Sequence, residues 1–194
     1  MARGRGLVIW FTGLSGAGKS TLAAALCDRL RRDGISAEHL DGDEVRRRLG
    51  GALGFSRPER EEQTNRLSYL AQLLSRQGVA VVVSAISPRR GARARARRNV
   101  GDFIEVHVNT PLEVCERRDP KGLYRRARAG EIADFTGISA PYEPPLDPEV
   151  ECDTEREGLE GCLAKIWVVV RARIGATHPA AAAVAASVRP RPPE

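Results

Sequence analysis

The chain has 194 residues, 42% of them hydrophobic, which suits one globular domain with a full core and argues against a second. No run approaches the roughly 18 consecutive apolar residues of a membrane span, and the N-terminus lacks the apolar core of a signal peptide, so a cytoplasmic protein with no membrane partner is expected. The net charge of +6 raises nucleic acid as a partner, but the one dense basic block, 89–98, sends Arg93, Arg95 and Arg97 around a helix with no aromatic residues between them, so none is expected.

Strands and helices alternate along the chain, the pattern of a parallel sheet covered on both faces. The apolar run 7–11 predicts the first strand. Directly after it, Gly13-Leu14-Ser15-Gly16-Ala17-Gly18-Lys19-Ser20 fills every position of the G-x-x-x-x-G-K-[ST] phosphate-binding pattern. A helix predicted over 19–32 follows, with Leu22, Leu26 and Leu30 on one face. A triphosphate needs many backbone N–H groups converging on one point, and Gly13, Gly16 and Gly18 let the chain curl tightly enough to aim them inward. Lys19 then reaches the β- and γ-phosphates, Ser20 can place its hydroxyl on Mg2+, and Ser15, Ala17 and Thr21 belong to the same triphosphate-binding stretch. Only three of the 31 basic residues are lysines, Lys19, Lys121 and Lys165, and two of them lie in motifs where a compact ammonium is a different tool from a guanidinium.

A second strand over 37–40 leads into Asp41-Gly42-Asp43-Glu44-Val45-Arg46. Ligands of open parallel sheets sit outside the carboxyl ends of the strands, so two carboxylates and an arginine fall beside the phosphate loop. One carboxylate can orient or deprotonate an attacking hydroxyl and the other can order magnesium and its waters, although either could equally cap a helix over 43–49. The longest helix, 58–77, opens on Gly54-Phe55-Ser56-Arg57-Pro58-Glu59-Arg60, and Ile86-Ser87-Pro88-Arg89-Arg90 follows a strand over 79–84. Further elements are a helix over 89–98, a strand over 103–108, helices over 112–117 and 122–129, a short strand over 150–152 and a helix over 155–173. The arginines, lysine and glycines of 110–138 read as a lid that closes over the phosphates and excludes water. Cys27, Cys115, Cys152 and Cys162 show neither a C-x-x-C pair nor metal-ligand spacing and read as reduced and structural. The Ala/Pro-rich stretch 175–194 cannot build a core and reads as a disordered tail, which leaves 1–174 as the kinase domain. The expected architecture is α/β, a three-layer parallel sheet of the P-loop nucleoside-triphosphate kinase type.

Over about residues 6–173 the chain resembles the adenylyl-sulfate kinase family. The resemblance rests on the phosphate loop and, more specifically, on Asp41-Gly42-Asp43, Phe55-Ser56, Ile86-Ser87-Pro88, Asp119-Pro120-Lys121-Gly122-Leu123-Tyr124 and Phe135-Thr136-Gly137-Ile138. It implies transfer of the γ-phosphoryl of ATP to the 3′-hydroxyl of adenosine 5′-phosphosulfate, giving 3′-phosphoadenylyl sulfate. It also implies that Asp43 is the base or hydroxyl-orienting group with Asp41 and Lys19 beside it, and that Arg46 and Arg60 grip the phosphosulfate. By the same resemblance Phe55 stacks on the substrate adenine, Ile86 and Ser87 with Pro88 form the wall of the acceptor site, and Lys121 neutralises charge from the lid. Ser87 matches a serine phosphorylated in some members, though a strand-to-helix turn is the plainer reading. A homodimer and a partnership with an ATP sulfurylase are further implications.

The chain also departs from the family pattern. Gln63, Thr64, Asn65 and Arg66 stand where the family carries asparagine followed two residues later by two arginines, and Arg89 stands before Arg90 in place of tyrosine. Gln63 keeps an amide on one more methylene, so its bond to the substrate survives only if the side chain folds back; Asn65 takes a positive charge from the anion and Arg89 adds one elsewhere. The alternatives are a kinase of the same fold with a shifted acceptor and a nucleotide-binding regulatory module without turnover. The presence of Lys19, Ser20, Asp41 and Asp43 together speaks against the second.

Overall fold

Val8–Thr12 (β1), Ala37–Asp41 (β2), Ala80–Ser84 (β3), Phe103–Val108 (β4) and Val150–Cys152 (β5) form one sheet in the order β2-β3-β1-β4-β5, with every pair parallel. These strands belong to a computed structural model that describes residues 6–49, 54 and 56–177. β1, β3 and β4 are buried along their whole length, as near-continuous apolar runs must be in a sheet covered on both sides.

The alternation of side chains sorts β1 between the two faces. Ile9 and Phe11 pack with Leu22, Leu26 and Leu30 of Lys19–Arg32 (α1). Ile166, Val170 and Ile174, in the C-terminal helix, join the same cluster. Val8 and Trp10 face the other way, against Leu67 and Ala71 of Arg57–Ser75 (α3) and Ala96 and Val100 of Arg90–Val100 (α4), with Trp10 stacked on Phe103 at 5.8 Å. Burying each such side chain contributes about 1.5–3 kcal/mol, so the two faces bind the helical layers from opposite sides. The expected three-layer parallel sheet is the observed one.

Three of the element boundaries that differ from those expected are set by identifiable contacts. α3 starts at Arg57 because the Glu59 carboxylate accepts hydrogen bonds from the Ser56 and Gly54 N–H groups, closing the helix entrance one residue earlier. The last helix, Gly158–Thr177, starts three residues late, because residues 153–157 form their own turn: Asp153 N–H donates to Glu157 Oε1 and Glu157 N–H to the Asp153 carbonyl. That helix also runs past 174, with Ile174 buried and Arg173 bonded to Asp102 at 2.8 Å. The tail expectation falls, from 178 onward, outside the described residues.

The remaining helices are Gly42–Leu49, Leu112–Arg118 and Leu123–Arg128. In chain order these are α2, α5 and α6, and Gly158–Thr177 is α7. α6 is entered through Asp119, whose carboxylate accepts from the N–H groups of Tyr124 and Arg125. Tyr124 then packs edge-on against Phe135 at 5.0 Å and donates its hydroxyl to the Ser15 carbonyl at 3.0 Å, which seats the expected lid segment directly on the phosphate loop. Among the described residues no helix is long and apolar enough to cross a membrane.

Candidate active site

β1 has β3 on one side and β4 on the other, so the chain leaving its carboxyl end enters the crevice where strand order reverses. The phosphate loop fills that crevice. A Cβ on Gly13 (φ 147°) would stand 2.4 Å from the Val108 carbonyl oxygen, and one on Gly18 (φ 101°) 2.9 Å from Thr154 Cγ2, so both positions require glycine. Ala17 is buried behind the loop, its carbonyl accepting from the hydroxyls of Thr110 at 3.1 Å and Thr154 at 2.9 Å. Lys19 is buried at the centre and donates to the Leu14 carbonyl at 2.6 Å.

Burial pulls the Lys19 ammonium down from 10.5 to about 8, against the opposing pull of the Asp43 carboxylate. The sign follows directly. Between about pH 8 and the unfolded value the unfolded chain holds more protons, so the Lys19 contribution to stability rises with pH there, while the cation that ATP needs is lost. ATP affinity of the free protein is therefore expected to be about tenfold weaker at pH 9 than at pH 7, as the charged fraction falls. Calorimetric titration with nucleotide across this range checks it; a flat profile would show that Lys19 stays charged.

Asp41, at the end of β2, does two jobs. Its Oδ1 accepts from the N–H groups of Asp43 at 2.9 Å and Glu44 at 3.2 Å, capping α2, so the capping expectation holds for Asp41. Its Oδ2 accepts from the hydroxyls of Ser20 at 2.6 Å and Ser84 at 3.0 Å. Because Ser84 donates to Asp41, its oxygen takes the bond from His39 Nε2, 2.9 Å away. Burial acts to raise the Asp41 carboxyl, but these hydroxyl and backbone donors outweigh it and hold it below the usual carboxylate range. A run of oxygen groups, Ser20, Asp41 and Ser84, thus stands beside the phosphate loop. Among the described residues no group of three His, Cys, Asp or Glu side chains is placed to hold a metal.

Asp43 points away from the cap and pairs with Lys121 from the segment between α5 and α6, both side chains more than half exposed. Arg46 Nη1 donates to the Gly54 carbonyl at 2.5 Å, and Arg60 donates to Thr136 Oγ1 at 2.8 Å and the Asp134 carbonyl at 2.6 Å. Burial lowers both guanidinium pKa values from their ordinary value. Gln63 is buried, with Nε2 donating to the Gly42 carbonyl at 3.0 Å and Oε1 unpartnered. The extra methylene therefore folds the amide back onto the start of α2.

These groups border one cleft of about 410 Å³. Ser15, Gly16, Gly18, Lys19, Ser20 and Thr21 line its phosphate side. Asp43, Arg46, Arg60, Gln63, Ile86, Ser87 and Lys121 line the other. Gly13 and Ala17 shape the loop from behind, and Asp41 reaches the cleft through Ser20 and Ser84. Phe55 lies outside the described residues. Of the two charge changes read from the sequence, neither side chain lines this cleft, which for Arg89 agrees with a charge placed elsewhere. Asn65 is exposed on α3 and absent from the lining, so it removes no charge from the site, and Arg89 is neutralised by Glu143 at 2.8 Å.

Sequence reasoning missed Arg118, which lines the cleft and donates to Thr154 Oγ1 at 2.8 Å, and Thr154 itself, which braces the phosphate loop. Their signal was place: Arg118 directly precedes Asp119-Pro120-Lys121, and Thr154 follows β5 at the sheet's carboxyl edge. Phe135, also lining the cleft, was read only as part of a motif.

A parallel sheet in this order, with a phosphate loop at its switch point and the Asp43 carboxylate paired with Lys121 at the same cleft, is a P-loop kinase. The sequence model of the adenylylsulphate kinase family matches residues 5–153. An adenylyl-sulfate kinase from Microcystis aeruginosa is 57% identical over 163 residues, covering 84% of this chain and 90% of its own length. One from Halothermothrix orenii is 50% identical over 166 residues, covering 86% and 90%. The solved structure of the Mycobacterium tuberculosis APS kinase in complex with AMPPNP and APS superposes with a TM-score of 0.81 at 48% identity, covering 86% of this chain and 98% of that one. The chain belongs to the adenylyl-sulfate kinase family. A gluconokinase from Sinorhizobium meliloti, 19% identical with a TM-score of 0.55, shares the fold.

Proposed function

We infer that the chain transfers the γ-phosphoryl of ATP to the 3′-hydroxyl of adenosine 5′-phosphosulfate, giving ADP and 3′-phosphoadenylyl sulfate. The observation that carries this is the convergence, in one cleft, of the phosphate loop with Lys19, the Asp43–Lys121 pair, and the arginines Arg46 and Arg60. The first group suits the donor triphosphate and the last an acceptor that is itself an anion. An acceptor without charge would give those two arginines nothing to neutralise.

We assign roles accordingly. The acceptor's 3′-oxygen bonds to the γ-phosphorus as the bond from the β,γ-bridging oxygen breaks, ADP leaves with that electron pair, and the hydroxyl proton passes to the Asp43 carboxylate. Lys19, on the donor side, and Lys121, beside Asp43, supply fixed positive charge where negative charge is shared between entering and leaving oxygens. Ser87 with Ile86 walls the acceptor, Gln63 borders it with its amide held on the Gly42 carbonyl, and Phe55 is proposed to stack on its base.

The oxygen donors beside the loop fit Mg2+, a hard cation that takes few protein ligands and keeps water and phosphate oxygens. Ser20 would hold it directly, with Asp41 and Ser84 ordering its waters; bound there, the ion neutralises phosphate charge. The same reading makes the enzyme cytoplasmic, with the part of the Ala/Pro-rich stretch beyond α7 outside the kinase domain, and working alongside an ATP sulfurylase. The exposed Tyr69 and Leu73, one turn apart on α3, support a homodimer.

Replacing Arg60 with alanine tests the acceptor assignment. Loss of charge-assisted bonds to an anion should weaken acceptor binding by about 1.5–3 kcal/mol, roughly ten- to a hundredfold. The KM for ATP should stay within about twofold of wild type in the same steady-state assay, since Arg60 lines the acceptor side of the cleft and bonds to Thr136 and Asp134. An equal rise in both constants would contradict the assignment.

A further inference from the structure

Beneath the acceptor wall lies a buried cation with no part in phosphoryl transfer. The Arg93 side chain, on α4, is 2% exposed, and all three of its guanidinium nitrogens are bonded. Nε donates to Glu105 Oε1 at 2.6 Å, Nη1 to the Ser87 carbonyl at 2.7 Å and Nη2 to the Glu143 carbonyl at 2.7 Å. The Tyr142 ring lies 5.8 Å from its Cζ. One guanidinium thus joins a central strand, the loop after β3 and the segment that follows the lid.

The joined loops are then fastened to each other. Glu143 N–H donates to the Pro88 carbonyl at 2.9 Å, and the Glu143 carboxylate accepts from Arg89 Nη1 at 2.8 Å and from the Arg90 N–H at 2.9 Å. Thr12 donates its hydroxyl to the Ile86 carbonyl at 2.7 Å, and Trp10 Nε1 donates to Ser87 Oγ at 3.2 Å. Ser87 itself sits at φ 42°, a conformation that a residue with a side chain keeps only when its surroundings over-determine it. Arg93 is the group that takes hold of its carbonyl.

We propose that Arg93 is a positioning residue for the acceptor: from beneath, its guanidinium sets the Ile86, Ser87 and Pro88 wall against the segment at 142–143. The proposal rests on adenosine 5′-phosphosulfate being the acceptor. Only an arginine can do this, because three directed bonds diverging in one plane need its fork, whereas a lysine in its place would keep a charge against Glu105 and leave a buried carbonyl unpaired. The Lys19 ammonium bonds to Leu14, and the Ala17 carbonyl to Thr110 and Thr154, so these bonds of the phosphate loop do not run through Arg93.

The test is steady-state kinetics of R93K with ATP and adenosine 5′-phosphosulfate, each varied at saturating concentration of the other, together with calorimetric binding of ADP. The KM for the phosphosulfate should rise about tenfold or more, with the KM for ATP and the affinity for ADP within about twofold of wild type. A merely structural role would lower the active fraction and leave both KM values unmoved, and that result overturns the proposal. Equal rises in both constants overturn it too. Should R93K fail to fold, E105Q decides: it removes the carboxylate charge that anchors the Arg93 guanidinium while keeping the shape and an oxygen for Nε, and it should raise the phosphosulfate KM alone, an unchanged value being contrary. If wild type makes no 3′-phosphoadenylyl sulfate, the functional reading falls and takes this proposal with it, whereas an active wild type with an unaffected R93K refutes the positioning role by itself.

Discussion

Replacing Lys19 with alanine is expected to lower turnover by on the order of a thousandfold while leaving a folded protein. The residue is buried at the centre of the phosphate loop, and no other lysine or arginine bonds across that loop to the Leu14 carbonyl among the contacts seen in the described residues. Removing one preorganised donor from a site of developing charge costs about 10²–10³ in rate, and here the donor also carries the charge. The fold should survive, because the buried ammonium is itself costly to keep in the apo protein, as its lowered pKa records. ADP release measured beside a thermal melt checks both halves. A variant working near the wild-type rate would contradict the role given to the loop.

Replacing Asp43 with asparagine is expected to cut kcat by about a hundredfold or more with little change in the KM for ATP. Asparagine keeps the shape and a hydrogen-bonding oxygen for Lys121 but cannot accept the hydroxyl proton, so the loss falls on the transition state. The structure separates this residue from its neighbour: Asp41 caps α2 and bonds Ser20 and Ser84, whereas Asp43 does neither and faces Lys121. Single-turnover kinetics distinguish the roles. A fall in ATP affinity at unchanged kcat would make Asp43 a nucleotide or metal residue.

What the sequence made legible was what depends on backbone geometry. The phosphate loop could be read because glycine at 13 and 18 answers to carbonyls and side chains that no Cβ could approach, and β1 because a strand buried on both faces must be apolar throughout. The α7 start was not legible, since the Asp153–Glu157 turn competes with helix through side-chain bonds that leave no periodic trace. Asn65 misled because a charge change near a motif in sequence need not face the same way, and α3 turns Asn65 to solvent; Arg89, read as adding its charge elsewhere, is met by Glu143 from a segment over fifty residues on. Arg93 shows the converse. In the sequence it is one of several arginines in a basic block; in the fold it is the one buried against Glu105, while Arg95 and Arg97 pair with Glu61 and Glu149 nearer the surface.

The most direct measurement is turnover with ATP and adenosine 5′-phosphosulfate, following both products by chromatography. ADP and 3′-phosphoadenylyl sulfate should form in equal amounts, with negligible ADP when the phosphosulfate is left out. Release of ADP with free phosphate alone, or transfer to some other acceptor while the phosphosulfate is ignored, would contradict the account.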